Sequence, residues 1–220
     1  ARAVGARTDE AEKPVEAYRS VNDFFVRRLR PGVLSFPDEP NALVSPVDGI
    51  VASCGVIERG IAIQAKGRPY SMSELLREDA APWEGGLFLT IYLAPRHYHR
   101  IHTPIPGRVA RARHVPGRLY PVNLPSVRHV PGLFAINERR VAMIESARGT
   151  VGVVAIGAFN VGRISTAFEV GDELPTGADL MAFHLGSTVV LAVPPNPSTP
   201  VLHPDVAEGC EVRAGTPLVR

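Results

Sequence analysis

A Gly186-Ser187 step lies inside Leu185-Gly186-Ser187-Thr188, directly ahead of the β-rich run Val189-Val190-Leu191-Ala192-Val193. A serine at the mouth of a strand can attack the carbonyl before it, because glycine tolerates backbone angles that turn that carbonyl towards the hydroxyl. The attack replaces the peptide with an ester, and β-elimination followed by hydrolysis leaves a ketone-bearing pyruvoyl group where Ser187 stood. A serine hydroxyl is a poor nucleophile until a base takes its proton and a third group orients the base. The chain offers His99 and His102 in Pro95-Arg96-His97-Tyr98-His99-Arg100-Ile101-His102-Thr103-Pro104, and Asp48 in Ser45-Pro46-Val47-Asp48-Gly49. Each of these residues also has a plainer use. Gly-Ser before a strand is an ordinary turn, Asp48-Gly49 suits a type I′ hairpin, and loop histidines after a buried strand serve equally as surface residues. A His-x-x-His pair with a distant aspartate also fits zinc, which makes a zinc-dependent hydrolase using His99, His102 and Asp48 the alternative enzyme.

The elements that must position these groups read as strand-dominated α+β, with antiparallel sheets or a barrel-like β core. Glycine (20) and proline (21) are spread along all 220 residues, which suits short strands and turns better than a helical bundle. Residues 1–14 read as a mobile charged segment, and 15–220 as a single catalytic domain. Residues 15–30 are expected to form a helix ended by Pro31-Gly32. Ser71-x-x-Glu74 is a capping box opening a short helix near 71–78. Strands are expected within 42–66 (with turns at Asp48-Gly49 and Arg59-Gly60) and at 87–94, 107–115, 140–146, 150–157, 161–169 and 187–193. His99 and His102 fall between prolines beyond the 87–94 strand, in a loop or single turn. Val206-x-x-Gly209-x-x-Val212-x-x-Gly215 looks like the hairpin turns of biotinyl and lipoyl barrels, but it lacks the lysine a carrier needs.

The formal charge of +2 is too small to argue for nucleic acid, and no nucleic-acid motif is present. Cys54 and Cys210 fit no metal spacing and read as reduced thiols rather than a disulfide.

Ordered blocks of sequence resemble the phosphatidylserine decarboxylases, pyruvoyl-dependent enzymes that mature by serinolysis. The blocks are Val21-Asn22-Asp23-Phe24-Phe25-Val26-Arg27, Ser45-Pro46-Val47-Asp48-Gly49, Gln64-Ala65-Lys66-Gly67 with Tyr70-Ser71, and Tyr92-Leu93-Ala94-Pro95-Arg96 with Tyr98-His99-Arg100-Ile101-His102. They continue in Pro116-Gly117-Arg118-Leu119-Tyr120-Pro121-Val122-Asn123, Leu133-Phe134-Ala135-Ile136-Asn137-Glu138-Arg139, Gly157-Ala158-Phe159-Asn160-Val161-Gly162 and Leu185-Gly186-Ser187-Thr188. The resemblance covers roughly residues 18–193 and follows the family order.

That resemblance implies a chain cut into 1–186 and 187–220, with Asp48, His102 and Ser187 as the processing triad and His99 serving decarboxylation. It implies covalent pyruvate at position 187, which forms a Schiff base with the substrate amine and acts as an electron sink. The expected substrate is phosphatidylserine and the product phosphatidylethanolamine, with a homodimer as the family expectation. Relatives acting on archaetidylserine or on free amino acids keep those substrates open as alternatives. Three features depart from the family pattern: His97 in place of an aspartate, Ile136 in place of an arginine, and the approach Gly171-Asp172-Glu173-Leu174-Pro175-Thr176-Gly177-Ala178-Asp179-Leu180.

No apolar run approaches the ~18–20 residues needed to span a bilayer, and no signal peptide is visible. Because the chain begins at Ala1 without methionine, a preceding extension is expected. Phe24, Phe25, Arg27 and Arg28 read either as a helix packed on the core or as an interfacial element meeting anionic headgroups. The second reading places the protein peripherally on the cytoplasmic face of the cell membrane.

Overall fold

The computed structural model describes residues 5–64, 68–159, 163–184, 187–196 and 199–220. In chain order its elements are α1 (Val21–Phe25), β1 (Gly49–Val56), β2 (Ile61–Gln64), β3 (Arg68–Ser71), α2 (Met72–Leu76), β4 (Leu87–Leu93) and β5 (Arg100–His102). There follow β6 (Gly107–Val115), α3 (Leu124–His129), α4 (Leu133–Ile136), β7 (Arg139–Ser146), β8 (Gly149–Ile156), β9 (Ile164–Thr166), β10 (Glu173–Leu174), β11 (Asp179–Phe183), β12 (Ser187–Val193) and β13 (Glu211–Val212). Eight strands form one antiparallel sheet in the order β10-β6-β7-β8-β12-β4-β1-β13, and β5-β11-β9 form a second, smaller sheet. The strand-dominated α+β expectation holds.

The centre of the large sheet is β8-β12-β4. Val189 to Val193 have no exposure on either face, which is why this run is continuously apolar rather than alternating. β12 pairs with β4 from Ser187↔Leu93 to Val193↔Leu87, and with β8 from Thr188↔Ile156 to Ala192↔Gly152. The tail returns to the same sheet. β13 pairs with β1, Asp48 Oδ1 accepts the Ala214 N–H at 2.9 Å, and the Ser45 N–H donates to Thr216 O at 2.8 Å.

Two motif blocks prove to be struts. The buried Arg139 guanidinium donates to the carbonyls of Glu74 and Leu75 at the end of α2, and to those of Ala135 and Asn137 around α4. The Asn137 amide donates to Tyr120 O and Gly157 O, each at 2.8 Å. Together they fasten the 116–138 excursion over one face of the sheet. Parts of the Gln64–Gly67 and Gly157–Gly162 blocks lie outside the described residues.

Several expectations need correction. The helix expected over 15–30 is only Val21–Phe25, capped by Ser20, whose hydroxyl accepts the Asp23 N–H. Residues 28–30 are instead drawn into extended pairing with 10–12, through Glu12 N–H to Arg28 O and Arg30 N–H to Glu10 O, each 2.9 Å. The supposedly mobile N-terminal segment is therefore docked where it is described: Ala6 and Ala11 are buried against Phe24, and Arg213 holds Glu10 at 2.8 Å. Asp48-Gly49 is not a type I′ turn, since neither residue has positive φ. Gly49 is required by close approach instead: a Cβ there would lie 2.6 Å from Ile91 Cγ2 and 2.7 Å from Tyr92 O. The 161–169 strand shortens to β9. The capping box at Ser71 forms as expected, with its hydroxyl accepting the Glu74 N–H at 3.2 Å.

If the chain is cut before Ser187, the 187–220 piece remains a central strand with two paired neighbours. The two pieces should co-elute on gel filtration under native conditions and separate only in denaturant. Loss of the short piece in native buffer would contradict this packing.

Candidate active site

Beyond β4 the chain turns through an Ala94–His97 bond (His97 N–H to Ala94 O, 2.9 Å) and enters β5 at Arg100. His102 therefore lies on a strand and His99 immediately before one, not in the loop that the flanking prolines suggest. Across from them runs β11, with Phe183 N–H donating to His99 O at 3.0 Å and Asp179 in register with His102. Four residues after the end of β11 comes Ser187, at the entrance of β12. The Leu185-Gly186 half of the motif lies outside the described residues.

The two histidines are held differently. His99 is fully buried and its ring packs on Phe25 at 4.7 Å. A carbonyl can only accept, so the 2.8 Å contact with His97 O puts the proton on Nδ1 and leaves Nε2 as a bare acceptor. That Nε2 is buried with no hydrogen-bond partner among the described residues. Burial, above all, pushes His99 down to about 4, with Arg27 and His97 acting in the same direction and the His97 carbonyl opposing them. At neutral pH it is an uncharged base.

His102 sits between the rings of Tyr98, stacked at 5.6 Å, and Phe36 at 5.4 Å. Its Nδ1–H donates to Gly177 O at 2.8 Å, and its Nε2 accepts from Tyr98 Oη at 3.3 Å. Gly177 cannot readily be replaced: its φ is +82°, and a Cβ would strike the Phe36 ring at 2.4 Å. Burial lowers the His102 pKa, while the nearby Asp179 charge and the Gly177 carbonyl work against that lowering.

Asp48 is close but makes no hydrogen bond to His102. Its Oδ1 takes the Ala214 N–H and its Oδ2 lies 4.0 Å from Arg213 Nε. It reaches His102 only as a distant charge, and through Pro46, whose carbonyl accepts the His102 N–H at 2.8 Å. The structure thus brings His99 and His102 against β11, with Asp48, just before β1, nearby and bound to the tail at Ala214. His97 is a linker: its Nδ1 accepts the Ala94 N–H and its Nε2 lies 3.2 Å from Glu211 Oε1.

Sequence reasoning missed Gly177, Asp179, Tyr98 and Phe36 around His102. It also missed a cavity of about 500 Å³ beside Thr188, between the sheet and the 122–134 cover. Ile50, Tyr92, Thr90, Asn123, Phe134 and Thr188 are among its walls. The available signal was the run of apolar residues opposite a Thr or Tyr on adjoining strands, which becomes visible only once register is known.

Of the two readings of the 24–28 segment, the core-packed one holds and the interfacial one is corrected. Phe24 and Phe25 are buried, and Arg27 is only 3% exposed, its guanidinium 4.4 Å over the Phe24 ring. These side chains belong to the interior and are not free to enter lipid. Arg28 is exposed and pairs with Asp179 at 3.2 Å. Among the described residues no group of three His, Cys, Asp or Glu side chains could hold a metal ion, and no helix is long and apolar enough to cross a membrane.

The depressed pKa of His99 has a measurable consequence. Between about pH 6.5 and about 4 the unfolded chain binds a proton at this position and the folded chain does not. The stability contributed is complete above about pH 6.5 and falls as pH drops through that window. His99→Ala should flatten this part of the stability–pH curve in urea titrations. An unchanged slope would mean that His99 is not held neutral.

The family description "Phosphatidylserine decarboxylase" matches residues 21–220. A phosphatidylserine decarboxylase proenzyme of Anaeromyxobacter sp. (strain K) is 41% identical over 96% of this chain and 82% of its own length. One from Shewanella sp. (strain ANA-3) is 43% identical over 84% of this chain and 71% of its own. The Halorhodospira halophila proenzyme is 44% identical over 88% of this chain and 72% of its own. The family match over residues 21–220 and these relatives show that this chain belongs to the phosphatidylserine decarboxylase family.

Proposed function

We propose that this protein cuts itself at Gly186-Ser187 and then decarboxylates phosphatidylserine to phosphatidylethanolamine. The observation that carries the reading is the pairing of β5 with β11, which sets both histidines against the strand that ends at Phe183, four residues before Ser187.

In the first stage His102 Nε2 takes the Ser187 hydroxyl proton while Gly177 O holds the opposite ring nitrogen. The freed oxygen attacks the Gly186 carbonyl carbon, the C–N bond breaks, and the amine of residue 187 receives the proton. Elimination then releases the Gly186 carboxylate, and water replaces the nitrogen, which departs as ammonia. Well-oriented intramolecular attack is worth on the order of 7–11 kcal/mol, and general-base assistance about 10²–10⁴-fold. Asp48 belongs to this stage through its charge and through its grip on the tail at Ala214.

The carbonyl left at position 187 would supply the electron sink that carbon dioxide loss requires. The surroundings suit such a group: a His99 Nε2 that is buried and has no partner among the described residues, and a largely apolar cavity beside Thr188. A substrate amine arrives protonated and must lose a proton before it can condense. His99, held neutral, is the group we assign to accept that proton and return it to the carbon that loses carbon dioxide. The cavity has room for the glycerol and first methylenes of a lipid, which favours a lipid over free serine. The protein works peripherally at a bilayer surface, on the cytoplasmic face of the membrane, where its substrate resides.

Carbon dioxide release from phosphatidylserine vesicles, compared with release from free serine or tryptophan, tests the substrate. Turnover confined to the free amino acid would contradict the lipid reading. His102→Ala and Asp48→Ala should accumulate uncut chain, whereas His99→Ala should still be cut, at least partly, yet lose at least about 10²-fold in decarboxylation. Blocked cleavage in His99→Ala alone would reverse the two roles.

A further inference from the structure

We propose that Asp179 is a second carboxylate, besides Asp48, that supports His102 as a base in the uncut chain. The proposal rests on the reading of His102 as the base for self-cleavage. It begins from strand register. β11 sets Asp179 directly opposite His102 on β5, with Oδ1 3.9 Å from His102 Nδ1. Oδ2 of the same carboxylate is fixed by Arg100 Nη1 at 3.0 Å and Arg28 Nη2 at 3.2 Å. The Nδ1 proton itself goes to Gly177 O at 2.8 Å. Two tasks that one aspartate combines in a Ser-His-Asp triad are thus divided. The peptide carbonyl fixes tautomer and orientation, and Asp179 supplies the negative charge that favours an imidazolium. Asp48 is engaged elsewhere, by Ala214 N–H and Arg213.

The charged and titratable groups facing His102 are Asp179 from β11, Arg100 from its own strand, Asp48 from the segment before β1, and the Tyr98 phenol. Arg28 acts only through Asp179. When Ser187 gives up its proton to Nε2, positive charge develops on a buried ring, and of the two carboxylates that act on that ring Asp179 acts more strongly. Removing the charge makes His102 a weaker base and lowers the pH at which it sheds its own proton. Asp179 is a positioning residue and does not touch the reacting atoms.

The test follows cleavage of freshly synthesised full-length chain over time at a series of pH values, with melting curves confirming the fold. Asp179→Asn should slow cleavage about 10²-fold and move the acid limb of the rate profile down by about one pH unit. Asp179→Glu should restore most of the rate and return the limb. Asp179→Ser gives the same two readouts should the asparagine variant not fold. A slower rate with an unshifted limb and no rescue by glutamate would mean that Asp179 merely anchors Arg100 and Arg28, and would overturn the proposal. Parental cleavage by Asp179→Asn, with His102→Ala blocked, overturns the Asp179 assignment alone. Normal cleavage by His102→Ala overturns the base assignment and this proposal with it.

Discussion

The placement of β12 governs the rest of the molecule. A strand hydrogen-bonded on both sides and buried on both faces cannot shift by one residue without breaking two ladders and repacking the core on either side of it. Its first residue is therefore held at a fixed point opposite Leu93 while the chain before it is still joined to a different sheet. Cutting the bond before Ser187 costs no sheet pairing within the described residues, because both partners of β12 lie elsewhere in sequence. The tail makes the arrangement durable by returning through β13 and residues 214–218 to the start of β1.

Burial then divides the labour between two histidines three residues apart. His99 loses nearly all hydration and has no carboxylate beside it, so desolvation dominates and it is neutral. His102 is also desolvated, but it lies beside Asp179 and a peptide carbonyl, which restore some of its basicity. The two rings therefore differ in basicity, His102 being the one with carboxylate and carbonyl support.

The large sheet was legible because its strands are long and apolar: β4, β6, β7, β8 and β12 fall within a residue of where periodicity puts them. The small sheet was not. β5 and β9 are three residues long and mix polar with apolar side chains, so they carry no period, and β11 lies in a stretch that departs from the family pattern. The chemical residues were readable as types, since Ser187, His99, His102 and Asp48 stand in recognisable blocks. Their partners were not, because Gly177 and Asp179 reach His102 through cross-strand register rather than through sequence spacing. Phe24, Phe25 and Arg27 were ambiguous for a related reason: an aromatic-basic run reads alike whether it faces lipid or, as here, packs inward around a buried guanidinium.

The central claim is that this fold cuts its own backbone before Ser187. Intact mass spectrometry of the purified chain, beside the Ser187→Ala variant, tests it most directly. The account predicts two masses for the parent, corresponding to residues 1–186 and a blocked 187–220, and a single full-length mass for the variant. A single uncut mass for the parent, or cleavage of Ser187→Ala at the same bond, would contradict it.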